Sequence, residues 1–220
     1  MTKFRTALLV LTILGSAALS SSAQTMFTAN LTPQQETTPP TFTNSGTGQP
    51  RPFSFGNATL VLNANMTQLS LTVTVFNIDF TGNQTPTDTN DNLGAAHIHA
   101  AATTGQPGTN AGVVFGFFGT PFNDNNPNNV LVTPFANGVG GTITSIWDAA
   151  EGNNTTLTAQ LNNILAGRAY LNFHTTQNGG GEIRGQILIP EPSTNALIAA
   201  GVIAAGVATW RRRRTGKAAA

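Results

Sequence analysis

The sequence has no cysteine among its 220 residues. This absence excludes a disulfide framework, a cysteine nucleophile and any metal site built from thiolates. Tyrosine and tryptophan are also scarce, with one Tyr and two Trp in the whole chain. A folded domain made from this sequence must therefore be stabilised by the packing of its aliphatic and phenylalanine side chains, or by a bound ion.

Lysine is nearly absent as well. Both lysines, Lys3 and Lys217, lie close to the ends of the chain. Between residues 24 and 189 three arginines stand against eight acidic residues, so this part of the chain has a net charge of −5. A protein that binds nucleic acid needs a basic surface to displace the counterions of the phosphates. We therefore expect no nucleic-acid partner.

The N-terminus has the composition of a secretory signal peptide. Lys3 and Arg5 precede an apolar stretch from Ala7 to Leu19, and small residues lead up to Ala23. This order of a basic region, an apolar region and small residues is typical of a segment that signal peptidase removes. We predict that residues 1–23 form a signal peptide cleaved after Ala23, which leaves residues 24–189 for one domain with a core.

The C-terminus combines a short apolar run with a basic stop. Pro190-Glu191-Pro192 precedes an apolar run from Ala196 to Trp210. Fifteen helical residues span about 22 Å, which is less than the thickness of about 30 Å of the bilayer core. We therefore predict that this segment is a weak transmembrane anchor. The basic residues that follow would remain on the cytoplasmic side. They are Arg211, Arg212, Arg213 and Arg214.

This tail resembles a PEP-CTERM sorting signal, the bacterial tag that an exosortase recognises and cuts; an ordinary short tail anchor is the alternative. The resemblance implies a sorting segment over residues 190–215, a cytoplasmic tail over 216–220 and transient anchoring in the inner membrane. It also implies delivery to the cell envelope, the cell surface or the extracellular matrix. Because such tags commonly accompany polysaccharide-producing gene sets, the implied partner is an extracellular polysaccharide or a surface protein.

Most of the remaining sequence has the pattern of strands. Thr67–Ile78 alternates apolar and polar residues with a period of two, which predicts a half-buried strand. Only Leu157–Leu165 has helical spacing, with a cap at Thr155 or Thr156. We predict an all-β fold, an antiparallel β-sandwich of Greek-key, Ig-like or superoxide-dismutase-like type with about eight strands and one short helix. The other predicted strands are Met26–Leu31, Phe53–Leu62, Ala95–Ala100, Gly112–Phe118, Thr142–Trp147, Ala169–Thr175 and Glu182–Ile189.

Two polar segments interrupt the strands and predict exposed loops. Glu36–Pro52 contains four prolines, and Asn123–Asn129 is almost entirely Asn, Asp and Pro. An EF-hand calcium loop is excluded because Leu93 and His99 stand where that motif needs Gly and Glu. A solvated loop is favoured over an irregular calcium site for the acidic residues of these regions. Those residues are Asp88, Asp91 and Asp124.

Three motifs carry the most specific signal. They are Ala95-Ala96-His97-Ile98-His99, the stretch from Gly167 to His174, and Gly181-Glu182-Ile183-Arg184-Gly185-Gln186. In this order they resemble the CHRD domain, whose hallmarks are an Ala-His-x-His strand, a Gly-x-x-Tyr-x-x-x-His strand and a closing Gly-Glu-Ile-Arg-Gly-Gln strand. The resemblance spans about Met26–Ile189. It implies a β-sandwich that serves as a non-catalytic component of the cell surface or matrix.

The histidines suggest a metal site. In a strand, His97 and His99 point to the same face, about 6.6 Å apart along the chain. His174 is the only other histidine in the sequence. If the strand of His174 lies beside that of His97, all three imidazoles could bind Zn or Cu. The domain would then be a metal-binding module or a metal-dependent enzyme. Glu182 would then be a carboxylate ligand or a hydrogen-bond acceptor behind one of the histidines.

A structural interpretation of the same residues stays open. The histidines would then brace buried loops, and Glu182 would pair with Arg184, which faces the same side of its strand, or with Arg168. The segments are also distantly similar to Cu/Zn superoxide dismutase, in which the three histidines would match copper ligands. A fourth histidine to bridge copper and zinc is missing, however, and so is the structural disulfide. We therefore expect no dismutase activity. The sequence also lacks three motifs of other enzyme classes, namely the nucleophile elbow, the HExxH helix and the phosphate loop.

Overall fold

The computed structural model describes residues 24–191, where the chain forms nine strands and one α-helix. The predicted signal peptide and the predicted tail from Pro192 onward lie outside the described residues. A short 3-10 helix, Pro33–Gln35, follows the first strand. The strands are β1 Thr25–Leu31, β2 Phe55–Leu62, β3 Gln68–Phe76, β4 Leu93–Ala100, β5 Val113–Phe118, β6 Leu131–Pro134, β7 Gly140–Asp148, β8 Ala169–Thr175 and β9 Ile183–Gln186, and the helix α1 is Leu157–Leu165.

The strands form two antiparallel sheets. The first has the order β1-β2-β3-β7-β6, and the second has the order β5-β4-β8-β9. This confirms the predicted all-β antiparallel sandwich. The helix is confirmed too, and Thr156 is its cap, because the Thr156 hydroxyl accepts a hydrogen bond from Ala159 N. Within residues 24–191 no helix is long and apolar enough to span a membrane.

The core lies between the two sheets and follows from the period-two patterns. In β3 the buried and exposed residues alternate, and Leu71 and Val73 point inward. Trp147 of β7 is fully buried and stacks on Phe115 of β5, with the ring centroids 4.9 Å apart. This contact joins the first sheet to the second. Burial of each such large apolar side chain stabilises the fold by roughly 1.5–3 kcal/mol.

Strand β6, Leu131–Pro134, was not predicted. It pairs only with β7, so it is an edge strand, and it ends in a proline. A proline has no N–H group to donate to a neighbouring strand, so prolines in sheets are confined to edge strands. In a sequence, a stretch that contains proline therefore resembles a loop. Four residues with one proline carry too weak a pattern to be recognised before the partner strand is known.

The acidic loop residues are buried, which corrects the expectation of solvated loops. Asp88, Asp91 and Asp124 are all at most 4 % exposed. Asp124 accepts hydrogen bonds from the Ser145 hydroxyl and from Asn129 N, and Asp91 accepts one from the Thr85 hydroxyl. Loops that pack against a core leave backbone and hydroxyl donors without partners, and these carboxylates supply the missing acceptors.

Candidate metal centre

The three histidines come together because β4 and β8 are neighbours in the second sheet. In this antiparallel pair Ala95 faces His174 and His97 faces Asn172. Residues directly opposite each other in a pair, or two apart on one strand, share a face of the sheet. All three imidazoles therefore lie on the outer face. One ligand nitrogen from each histidine lies within 4.8 Å of the others, and no second group of this kind occurs in residues 24–191.

The outer face of this sheet is covered by loops rather than by solvent. The loop after β1 borders it, since Thr41 N and Thr43 N donate to the side chains of Asn178 and Gln177 in the turn between β8 and β9. His97 and His99 are consequently only 4 % and 8 % exposed, and His174 is half-buried. A polar cluster on an outer face thus has the environment of an interior.

Each histidine is oriented by one backbone carbonyl. His97 Nε2 lies 3.1 Å from Thr120 O, His99 Nδ1 lies 2.9 Å from Ala111 O, and His174 Nδ1 lies 3.1 Å from Gly179 O. A carbonyl can only accept, so the nitrogen facing it must carry the ring proton. The second nitrogen of each neutral ring then has a bare lone pair. These nitrogens are His97 Nδ1, His99 Nε2 and His174 Nε2.

Burial keeps the three rings neutral. Loss of hydration lowers the pKa of His97 to about 4, helped by the neighbouring histidines, and lowers that of His99 to about 4. The pKa of His174 is lowered by the same cause. His97 Nδ1 and His174 Nε2 nevertheless lie 3.2 Å apart, and His99 Nε2 is buried with no hydrogen-bond partner. Two lone pairs therefore face each other with no proton to share.

A transition-metal ion suits this arrangement. Zinc binds imidazole nitrogens at about 2.0–2.1 Å, which places two ligands of a tetrahedral ion about 3.3 Å apart. The distance of 3.2 Å between His97 and His174 agrees with that value. Neutral imidazoles suit both Zn and Cu, and hydrogen bonds from their outer nitrogens to carbonyls are the usual support of metal-binding histidines.

Gly116 on β5 makes the support of His97 possible. A Cβ atom on Gly116 would lie 1.7 Å from Pro121 O and 3.1 Å from the His97 ring. The segment that carries the Thr120 carbonyl can therefore approach His97 only because position 116 lacks a side chain. Sequence reasoning did not identify Gly116, because the close approach is made by residues that follow the strand.

Glu182 lies outside the group of three histidines. Its carboxylate forms an ion pair with Arg51 at 2.6 Å and accepts hydrogen bonds from Thr175 and Asn178. The Ser54 hydroxyl donates to the same carboxylate. Glu182 thus fastens the turn that presents Gly179 O to His174.

The ion pair predicted from the spacing along the last strand is wrong. The partner of Glu182 is Arg51, which belongs to the loop after β1. Arg184 instead donates to Gln106 O, and Arg168 donates to Ala102 O. A partner 131 residues away along the chain cannot be found from local spacing.

Four further residues surround the centre. The ring of Tyr170 stacks on His99, with centroids 4.8 Å apart, and the guanidinium of Arg184 lies 3.4 Å from the Tyr170 ring centroid. Asn172 is the cross-strand neighbour of both His97 and Arg184. Glu36, at the end of the 3-10 helix, has a pKa raised to about 7 because burial outweighs the attraction of Arg184. Of these four, Tyr170, Asn172 and Arg184 stand in the sequence motifs, but nothing in sequence assigned any of them to the centre.

The sequence profile of the CHRD domain matches residues 27–187. The chain belongs to the CHRD domain family. The matched residues include both histidine strands and the Glu182 network, so the CHRD domain contains the whole centre. No match was found among curated proteins or among solved structures.

Proposed function

We propose that this CHRD domain binds one copper or zinc ion through His97, His99 and His174. The observation that carries the proposal is the convergence of one imidazole nitrogen from each of three histidines within 4.8 Å of one another in a covered site. Three neutral imidazoles form a ligand set for either metal and leave room for at least one more ligand.

A purely structural polar network explains the same residues less well. A stable network pairs each acceptor with a donor, since an unpaired buried polar group costs about 1–3 kcal/mol. Here the ring protons are already directed outward to three carbonyls. The inner nitrogens have no proton left to share, and a cation satisfies all three at once.

We propose further that the domain is exported and acts, without catalysis of its own, at the cell surface or in an exopolysaccharide matrix. Support comes from the basic and apolar N-terminus and from the Pro-Glu-Pro, apolar and arginine segments of the C-terminus. Signal peptidase and an exosortase would act on these ends, and the inner membrane would hold the chain only in transit. An extracellular polysaccharide or a surface protein fits the acidic, lysine-free domain as a partner.

Metal content tests the site directly. The full chain, purified without chelator and dialysed against metal-free buffer after loading, is analysed for Zn and Cu. We expect about one equivalent per chain, and His97→Ala or His174→Ala should reduce it at least tenfold, because two ligands hold an ion far less tightly than three. The metal should also raise the melting temperature of the wild-type protein, since only the folded state has the assembled site.

The control is Gln68→Ala, which removes an exposed side chain from the first sheet. This variant should keep the full metal content. Less than about a tenth of an equivalent in the wild type, with no change of melting temperature on adding either metal, would refute the site.

A further inference from the structure

Two buried acceptors beside the histidines have no donor. Glu36 Oε1 and Asn172 Oδ1 are both buried and make no hydrogen bond, and Asn172 is only 4 % exposed. They flank a single point in space. A Cβ atom on Gly181 would lie 2.6 Å from Glu36 Oε1 and 2.7 and 2.8 Å from Nδ2 and Oδ1 of the Asn172 amide, so the absence of a side chain at Gly181 leaves a small hollow between the two side chains.

This hollow adjoins the histidine centre. Asn172 faces His97 across the β4–β8 pair and lies two residues from His174 on the same face of β8. The Cβ atoms of directly opposed residues are about 4.5–5.5 Å apart. The side chain of Asn172 is therefore a direct neighbour of the His97 and His174 side chains.

The hollow also reaches solvent. Glu36 and Gly181 line an open cleft of about 340 Å³, together with Asn110, Asn178 and Gly179. The Gly179 carbonyl holds His174, and Asn110 precedes Ala111, whose carbonyl holds His99. The walls of the cleft are thus the same backbone segments that orient two of the ligands.

We propose that the metal ion has an exchangeable fourth position, in which a bound water donates to Asn172 Oδ1 and Glu36 Oε1 and can be displaced by a small anion entering through the cleft. This proposal rests on the metal site proposed above. An ion with three protein ligands commonly keeps a water in its fourth position. Such a water has two protons, which matches the two acceptors that lack donors.

Arg184 makes the position suitable for an anion. Its guanidinium is 1 % exposed, and its Nη1 atom has no hydrogen-bond partner. Arg51–Glu182 is the only ion pair within residues 24–191, so Arg184 has no carboxylate in direct contact. Its charge acts on Glu36 from a distance and favours a small anionic ligand nearby.

Water-proton relaxation of the copper(II)-loaded full chain tests the fourth position. We expect a paramagnetic relaxation rate well above that of a copper protein with closed coordination, because the bound water exchanges with bulk water. Sodium azide should lower that rate and produce a saturable charge-transfer band with one azide per copper. If copper binds stoichiometrically but the rate is that of a closed site and azide changes nothing, the exchangeable position is refuted while the metal site stands. Failure of copper to bind would refute both.

Two variants test the roles of the acceptors. Asn172→Leu keeps the size of the side chain but removes its acceptor oxygen. Because one hydrogen bond to the water is lost, this variant should lower the relaxation rate or change the azide affinity by about fivefold. Above pH 7, where Glu36 is mostly ionised, Glu36→Gln removes a negative charge and should strengthen azide binding by a similar factor. Asp148→Asn removes one charge from the opposite sheet and serves as the control. Equal behaviour of all three variants would overturn the assignment, and Glu36→Gln keeps the test valid if Asn172→Leu does not fold.

Discussion

Each histidine of the centre uses its two ring nitrogens differently. The outer nitrogen donates to a carbonyl, which selects the tautomer, and the inner nitrogen is left with a lone pair. The orientation of the ligands therefore depends on backbone segments rather than on other side chains. Substituting Thr120 or Ala111 would leave these hydrogen bonds in place, whereas moving their backbone would not.

The buried histidines predict how the chelator-treated protein responds to acid. The pKa of His97 and that of His99 are about 4 in the folded state and 6.5 in the unfolded state. Their contribution to stability is present above pH 6.5 and is lost as the pH falls toward 4, because the unfolded state takes up protons that the folded state refuses. The contribution of these two histidines to the free energy of unfolding should therefore decrease between pH 6.5 and 4.5, and denaturant titration of the wild type beside a variant that lacks one imidazole measures it.

The variant His99→Gln isolates this effect. Buried acids act in the opposite direction, because the raised pKa values of Glu36, about 7, and Asp91, about 6, stabilise the fold as the pH falls. The difference between wild type and variant removes these common contributions. The variant should lose less stability on acidification, and identical pH dependence of the two proteins would contradict the predicted protonation of His99.

At the scale of elements, alternation of apolar and polar residues identifies strands but not all of their neighbours. The pattern of β3 predicted its inward face, and the confirmed helix α1 follows from the spacing of Leu157, Leu161 and Ile164. The same pattern does not predict that β4 is placed between β5 and β8. The burial of the site depends on the loops, because they cover the outer face of the second sheet.

The joint between the sheets should be sensitive to a single substitution. Trp147→Ala removes the fully buried ring that stacks on Phe115 across the core. We expect a loss of about 3–5 kcal/mol in the free energy of unfolding, from lost burial and the cavity left behind. The metal content should stay near that of the wild type under conditions where the variant is folded, since the centre lies on the outer face.

Phe55→Ala is the matched control, because Phe55 is an aromatic residue that is 49 % exposed on the first sheet. Its cost should stay within about 1 kcal/mol, as for most surface substitutions. Comparable losses for the two variants in urea denaturation would show that Trp147 does not join the sheets as described.

For the whole molecule, the distribution of charge separates the domain from its ends. The chain has a formal net charge of +1, yet residues 24–189 carry −5, because most basic residues are in the two terminal segments. The described part of the chain ends in exposed Pro190 and Glu191, so the start of the Pro-Glu-Pro motif is accessible on the folded domain.

Intact mass of the protein recovered from the cell surface or medium checks the proposed processing. We expect a species that begins after Ala23 and lacks the residues after about Pro192, because both ends are read as removable segments. Replacing Arg211 to Arg214 by alanine should cause the unprocessed form to accumulate. A surface-exposed protein that still contains the four arginines would contradict the sorting role of the tail.

The sequence by itself determined the helix, every strand except β6, the all-β class, the family motifs and the identity of the three histidines, because these depend on local periodicity and on residue type. Only the tertiary structure decided that His174 lies beside His97, that Glu182 pairs with Arg51, and that Glu36 and Asn172 meet at Gly181. These contacts join residues far apart in the chain. Which strands become neighbours and which loops cover them follows from the packing of the whole domain. Burial there keeps each histidine neutral, and a backbone carbonyl decides which ring nitrogen keeps its proton.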